Sequence, residues 1–360
     1  DGIRDLVRSR GLGDVYKRQG GYNLYRAEVS GPSKDRLMPT ARETAFLLWG
    51  VYTFFTVLGI AALWIAGMSF FDSVCHTFGG LATGGFGTKN ASIGAYSPLT
   101  QTIVVVMMVV GGVNFGLWAR MALGIRRREW SVVKDALADD ELKVFLGLLA
   151  AASVVMFAVL SLAGGDHASV DPLGAVFQTV SIGTNTGYTT RDFDAWPVFS
   201  RALLVALMFV GGCAGSTCGG IKVVRVLLAL RVLRRQVHTA IQTRTVESVH
   251  LNGRPVPEDV LHGVLAYVLF YLGTFVIATL LLALSLDIWG FADDLNHKFV
   301  TALSAVATCL ATTGPGLAGV AGNCAAIPPA GKVILVATMF LGRLEIVSLL
   351  ALFTARTWRR

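Results

Sequence analysis

Three times along this chain, a segment too short to cross a bilayer runs into a Gly-centred loop, and a long apolar stretch follows. The loops are Ala82-Thr83-Gly84-Gly85-Phe86-Gly87-Thr88, Asn185-Thr186-Gly187-Tyr188-Thr189-Thr190 and Thr312-Thr313-Gly314-Pro315-Gly316-Leu317. A helix over Phe70–Leu81, at about 1.5 Å per residue, falls well short of a hydrocarbon core about 30 Å thick. The second short helix is predicted to begin near Pro172, where a missing N–H costs least, and the third to run from Asn296 to Leu310. Half-helices that end in Gly loops are tolerated at membrane depth only where they line a watery cavity. Small residues there let backbone carbonyls line a pore. Threefold repetition points to an internally repeated ion pathway.

The composition places these loops in a membrane. With 54% hydrophobic and 15% charged residues and a mean hydropathy of +0.61, the chain lies outside the range of soluble domains. Stretches long enough to span run from Ala45 to Ala66, Leu99 to Leu123, Leu142 to Ala163, Ala202 to Leu233, Leu261 to Leu286 and Lys332 to Phe353, six in all. The net charge of +8 is read by position rather than as a nucleic-acid signal. Basic residues cluster at Lys34 and Arg36, Arg126 to Arg128 with Lys134, Arg225 to Arg235, and Arg356 to Arg360, whereas the loop-bearing segments carry Asp72, Asp166, Asp171, Asp192, Asp194, Asp287, Asp293 and Asp294. The positive-inside rule puts the basic ends in the cytoplasm and opens the Gly loops outward, where the acidic rim concentrates cations.

Other chemistries find little support. Five cysteines, mostly in apolar surroundings, do not form a disulfide framework; Cys213 and Cys218 read either as small residues in a tight loop or as a redox pair. Six histidines show no metal-ligand spacing,. No catalytic constellation is visible, so the chain is not expected to be an enzyme, and no covalent cofactor is implied.

Residues 1–19 are polar, lack helical periodicity and resemble translated adapter sequence, so they are set aside as non-native. Residues 20–42 read as a cytoplasmic connection, with Gly31-Pro32 as a breaker. Pore units follow at 43–128, at 129–240 with a broken inner helix, and at 259–360, with a cytoplasmic linker at 241–258. The fold class is all-α integral membrane: outer helix, pore half-helix with filter loop, inner helix.

Two places depart from ideal inner helices. Gly211-Gly212-Cys213-Ala214-Gly215-Ser216-Thr217-Cys218-Gly219-Gly220 puts five glycines into ten residues just before Lys222. It lacks the Gly-Lys-Ser/Thr ending of a phosphate-binding loop; small-residue helix packing and an unwound, movable gating segment remain as readings, the second favoured. In Gly342-Arg343-Leu344-Glu345, a mid-membrane arginine must face protein or water, either paired with an acid on a neighbouring helix or facing the pore as a positive gate. Asn114 reads as helix-packing glue or a pore residue.

The chain resembles the membrane subunit of the Trk/Ktr/HKT potassium-transporter superfamily, of the bacterial Trk-H type. The likeness rests on Leu24-Tyr25-Arg26-Ala27-Glu28 with Ser30-Gly31-Pro32, on Ala82 to Ile93, Phe177 to Ser181, Gly211 to Lys222, Gly314 to Leu317 and Gly342 to Ile346. That family builds one pore from four units, and three are recognised here, with residues 20–32 resembling the tail of the first. The resemblance implies potassium uptake across the bacterial inner membrane, with an ion-coupled transporter of sodium or a small solute as the alternative. It implies that potassium is held at Ala82, Thr83, Gly84, Asn185, Thr186, Gly187, Thr312, Thr313 and Gly314. It also implies gating by Gly211, Gly212, Gly215, Gly219, Gly220, Lys222 and Arg343. A homodimer and a cytosolic nucleotide-binding regulatory ring are the implied partners, meeting basic segments near Arg126 and Arg234; lipid head groups would explain those segments equally.

Overall fold

Long apolar helices alternate with short buried ones, as the repeat requires. The computed structural model describes residues 41–163, 171–241, 248–289, 291 and 295–344; the expectations for residues 1–40, Asp166, Asp293, Asp294, Glu345 and the basic C-terminal run lie outside them. Helices α1 (Ala41–Ile65), α6 (Asp140–Ala163) and α10 (Glu258–Ile288) are long and apolar enough to cross a membrane. Each leads into a short helix: α2 (Phe70–Leu81), α7 (Pro172–Gly183) or α11 (Leu295–Ala311). Pro172 opens α7 as read, and the structure adds two caps: Ser69 Oγ accepts the Asp72 amide and Asp171 Oδ1 the Gly174 amide,.

The burial pattern is that of a membrane protein with a polar centre. Only 22%, 33% and 22% of the three long apolar stretches is buried, so Phe46, Trp49, Phe54, Leu269, Ile277 and Leu280 face outward. The short helices bury polar side chains instead: Thr77, Gln178, Thr179, Ser181, Thr301 and Ser304 are fully enclosed. A soluble protein sorts its residues the other way.

Inner helices complete each unit and break twice. The expected continuous span Leu99–Leu123 is two helices, α3 (Pro98–Gly112) and α4 (Phe115–Arg127), bent by 95°. The carbonyls of Gly111 and Gly112 leave the helical ladder and accept the amides of Thr217 and Cys213 at 3.3 and 2.9 Å. Asn114 is the N-cap of α4, its Oδ1 accepting the Gly116 amide at 2.7 Å. A helix α5 (Trp130–Leu137) precedes α6. The span Ala202–Leu233 breaks where the glycines sit, giving α8 (Val198–Val210) and α9 (Val223–Ile241). The last span is described as α12 (Pro329–Arg343). By length and composition three described helices cross a membrane, or four if the bent pair counts as one, against the six apolar stretches; α8 and α12 are described over 13 and 15 residues only.

Each short helix packs against the long helix before it and the inner helix after it, and units join where α3 meets α7 and α8 meets α11. The linker region carries a small antiparallel hairpin, β1 (His250–Leu251) with β2 (Arg254–Pro255), His250 opposite Pro255. Its turn, Asn252-Gly253, has both residues at positive φ, the geometry a tight hairpin prefers.

Replacing Asn114 with alanine removes the cap on α4 and is expected to lower stability by about 1 kcal/mol, whereas Asn114→Asp, which keeps the acceptor, stays near the parent. Denaturant unfolding in detergent reads the difference.

Candidate functional site

The three Gly loops share one backbone twist. Where each short helix ends, a residue turns left-handed: Thr83 (φ 49), Asn185 (φ 53) and Thr312 (φ 58). Two residues later a glycine does the same: Gly85 (φ 68), Gly187 (φ 86) and Gly314 (φ 106). The residue between them donates its amide back into the last helical turn, Gly84 to Gly79, Thr186 to Ser181 and Thr313 to Thr308, at 2.7, 2.9 and 2.9 Å. The structural partner of Gly187 and Gly314 is therefore Gly85, one position beyond the Gly84 that the Thr-Gly step picks out. Gly84 instead matches Thr186 and Thr313. A β-branched residue in the left-handed region is strained by roughly 1–3 kcal/mol, so Thr83 and Thr312 hold this turn only because their surroundings impose it.

The loops then meet in series. A Cβ built on Gly85 would lie 2.0 Å from the Thr186 carbonyl oxygen, and one on Gly187 2.0 Å from that of Thr313. On Gly314 it would meet nothing within 4 Å among the described residues. Side chains brace the series: Asn185 Nδ2 donates to Thr313 Oγ1 at 2.8 Å and to Met208 O at 3.0 Å. The buried Tyr188 hydroxyl reaches Phe86 O at 3.0 Å and His76 O at 3.2 Å. Farther along, Gly94 donates to Thr189 O and Ala318 to Asp194 Oδ1.

The chemistry on offer is neutral oxygen. None of the loop residues named is acidic, and among the described residues no group of three or more His, Cys, Asp and Glu could hold a metal ion. The loops sit at the C-terminal ends of the short helices, where the aligned peptide dipoles leave a partial negative charge. At the start of α2, the Thr88 hydroxyl donates to Asp72 Oδ1 at 2.6 Å and holds that exposed carboxyl below the usual carboxylate range.

The Gly-rich segment 211–222 lies directly against these helix ends. Gly211, Gly215 and Gly220 have φ of 72, 72 and 74, and Lys222 has φ 82, so the chain cannot remain helical there. Thr217 Oγ1 stands 3.0 Å from Leu81 O and 3.1 Å from Gly111 O, and accepts from Thr83 Oγ1 at 3.2 Å. On the opposite flank, a Cβ on Gly219 would be 2.1 Å from Ala311 O. Gly212 packs on Cys218 and Gly112, Gly215 on the Asn114 side chain. Lys222 is buried and folds its ammonium back onto Cys218 O. Cys213 and Cys218 both carry free thiols.

Arg343 closes the arrangement. Exposed at the end of α12, it donates from Nη1 to Thr217 O at 3.2 Å, so it meets the Gly-rich segment that the sequence marked separately. Of its two expected partners, acid or pore, the described contact is to a backbone carbonyl of that segment.

Three residues escaped the sequence reading. Thr217 is the junction of two units, yet its partners lie 106 to 136 positions away. Tyr188 sat inside a marked loop, where a large aromatic among small residues was the available signal. Glu141 reaches the Ala214 amide from α6 at 2.6 Å, and nothing local announces it.

The family described as TrkH, cation transport protein, matches residues 13–359. The Trk system potassium uptake protein TrkH of Salmonella typhimurium (strain LT2) is 38% identical over 343 residues, covering 94% of this chain and 68% of its own length. The Trk system potassium uptake protein TrkI of Halomonas elongata is 35% identical over 350 residues, covering 96% and 67%. The crystal structure of the potassium transporter TrkH from Vibrio parahaemolyticus superposes with a TM-score of 0.78 at 34% identity, over 90% of this chain and 66% of that one. The chain thus spans about two thirds of the length of these relatives. Its all-helical fold, its apolar spans and a match over nearly its whole length lead to one conclusion: this multi-pass membrane protein belongs to the TrkH cation transport family.

Proposed function

We propose that this protein takes potassium across the membrane along a path lined by carbonyls of the three Gly loops, with segment 211–222 and Arg343 as its gate. The observation that carries the reading is the repeated pair of left-handed turns at Thr83 and Gly85, Asn185 and Gly187, and Thr312 and Gly314. Three independent stretches of sequence hold the same uncommon backbone, and Gly85 and Gly187 each let the next loop's carbonyl approach. Carbonyl oxygens in that arrangement replace the hydration shell of a cation. Dipole ends add partial negative charge without a carboxylate, which suits a monovalent ion, since divalent sites recruit carboxylates. The curated relatives are named for potassium uptake.

In this reading the filter carbonyls are those just before the three glycines, from Thr83, Gly84, Asn185, Thr186, Thr312 and Thr313, with Ala82 at the close of the first short helix. Gly85 joins Gly187 and Gly314 in place of Gly84. Gly211, Gly212, Gly215, Gly219, Gly220 and Lys222 shape an obstruction beneath them, and Arg343 fixes it through Thr217 O. Charge placement orients the basic ends toward the cytoplasm of a bacterial cell, with the filter outward. Dimerisation and a cytosolic nucleotide-binding ring, resting near Arg126 and Arg234, come from the family likeness.

Rubidium influx into a bacterium stripped of its own potassium uptake, carrying the full-length gene, tests the reading. Gly187→Asp puts a carboxylate against the Thr313 carbonyl and is expected to abolish influx; parental influx in that variant rejects the filter. Gly85→Ala is expected to lose about tenfold or more, matching strain of about 1–3 kcal/mol. Gly84→Ala, whose Cβ would meet the Phe86 ring at 3.3 Å and Gly79 O at 3.9 Å, is expected to stay within about twofold. The reverse order would restore Gly84 to the filter position.

A further inference from the structure

Glu141 is the second residue of α6, yet its carboxylate does not serve that helix. Asp139 Oδ1 already accepts the first free amides of α6, from Glu141 at 2.9 Å and Leu142 at 3.1 Å. The Glu141 side chain turns inward instead, to 7% exposure, where an unpaired carboxylate would cost several kcal/mol. A single oxygen, Oε1, accepts the amide of Ala214 at 2.6 Å and that of Val224 at 3.2 Å. Ala214 lies inside segment 211–222 and Val224 two residues past its end, so one atom ties the early part of the segment to the helix that follows it. Val224 lies in the first turn of α9, whose amides have no helical partner and whose dipole favours an anion.

The two residues before Glu141 face the other way. Asp140 accepts the Asn252 amide at 3.1 Å and the Arg231 guanidinium at 3.0 Å, and donates its own amide to Asn252 Oδ1 at 2.8 Å. Asp139 Oδ2 accepts from Asn252 Nδ2 at 2.7 Å. Arg231 also reaches His250 O. The run Asp139-Asp140-Glu141 therefore grips the turn of the β1–β2 hairpin with its first two members and the Gly-rich segment with its third.

We propose that Glu141 is a latch: a positioning residue that holds segment 211–222 closed against α6 and couples it, through Asp139, Asp140 and Asn252, to the β1–β2 hairpin. The functional half of this statement rests on the proposed reading of that segment as the gate. A partner or membrane surface that shifts the hairpin shifts the start of α6, and with it the atom that ties the segment to α9.

The segment carries its own reporters. Cys213 and Cys218 are buried within it, at 0% and 3% exposure, while Cys309, at 3%, is sealed in the core between α10 and α11. Modification by N-ethylmaleimide, resolved by peptide mass spectrometry on the full chain in lipid vesicles, measures how often each is uncovered. Glu141→Ala is expected to speed labelling of Cys213 and Cys218 by about tenfold or more, in line with losing hydrogen bonds to a charged group, and to leave Cys309 unchanged. Asn252→Ala removes the side-chain bonds to Asp139 and Asp140 without touching the buried segment, and is expected to speed the same two thiols by about threefold through the coupling,. Unchanged rates at Cys213 and Cys218 in either variant, or equal acceleration of Cys309, overturn the latch. Rubidium influx separates the two claims. Faster labelling with raised influx supports latch and gate together, and faster labelling with unchanged influx keeps the latch and rejects the gate.

Discussion

Everything irregular in this fold answers to one constraint: a peptide group that leaves its helix at membrane depth must find another partner in the protein. The break between α3 and α4 frees the carbonyls of Gly111 and Gly112, and the unwound segment 211–222 supplies amides from Thr217 and Cys213 to meet them. Phe115, just past the break, donates to Gly215 O, and Thr217 reaches Leu81 O at the end of α2. Unwound backbone thus gathers in one place because each unwound piece needs the others. The Gly loops, the bend and the Gly-rich segment form a single hydrogen-bonded assembly held up by regular helices.

The sequence displayed the large features through period and length. Phe70–Leu81 falls where the first half-helix is expected, and the interruption of the fourth apolar stretch coincides with its glycines. The bend at Val113 was hidden because hydrophobicity runs through it unbroken; only Gly111-Gly112 and Asn114 mark it, and each has a bland reading within a helix. Register at the first loop was ambiguous, with two adjacent glycines and a preceding threonine. Backbone angles match Gly85, not Gly84, with Gly187 and Gly314, because those three take the second left-handed step. Glu141 was illegible for another reason: an acid in the first turn of a helix is ordinary, and its partners lie 73 and 83 residues away.

Charge is kept to the margins of the site. Lys222 is held by a carbonyl within its own segment and Arg343 by the carbonyl of Thr217, so each cation meets dipoles rather than a carboxylate in these contacts. Neutral threonine and asparagine side chains connect the loops, through Asn185 to Thr313 and Thr83 to Thr217. Hydroxyls and amides can fix geometry there without the desolvation that a formal charge would require. For a proposed path that must release its ion as well as bind it, restrained polarity is the appropriate chemistry.

The serial contact of the loops has an evolutionary consequence. Gly85 touches the Thr186 carbonyl and Gly187 that of Thr313, so the residue that limits where a carbonyl can sit belongs to the neighbouring repeat. A duplicated unit that drifted alone would displace an oxygen it does not own. Internal copies joined in this way constrain one another in pairs, so a substitution at Gly85 or Gly187 bears on a carbonyl of the neighbouring loop.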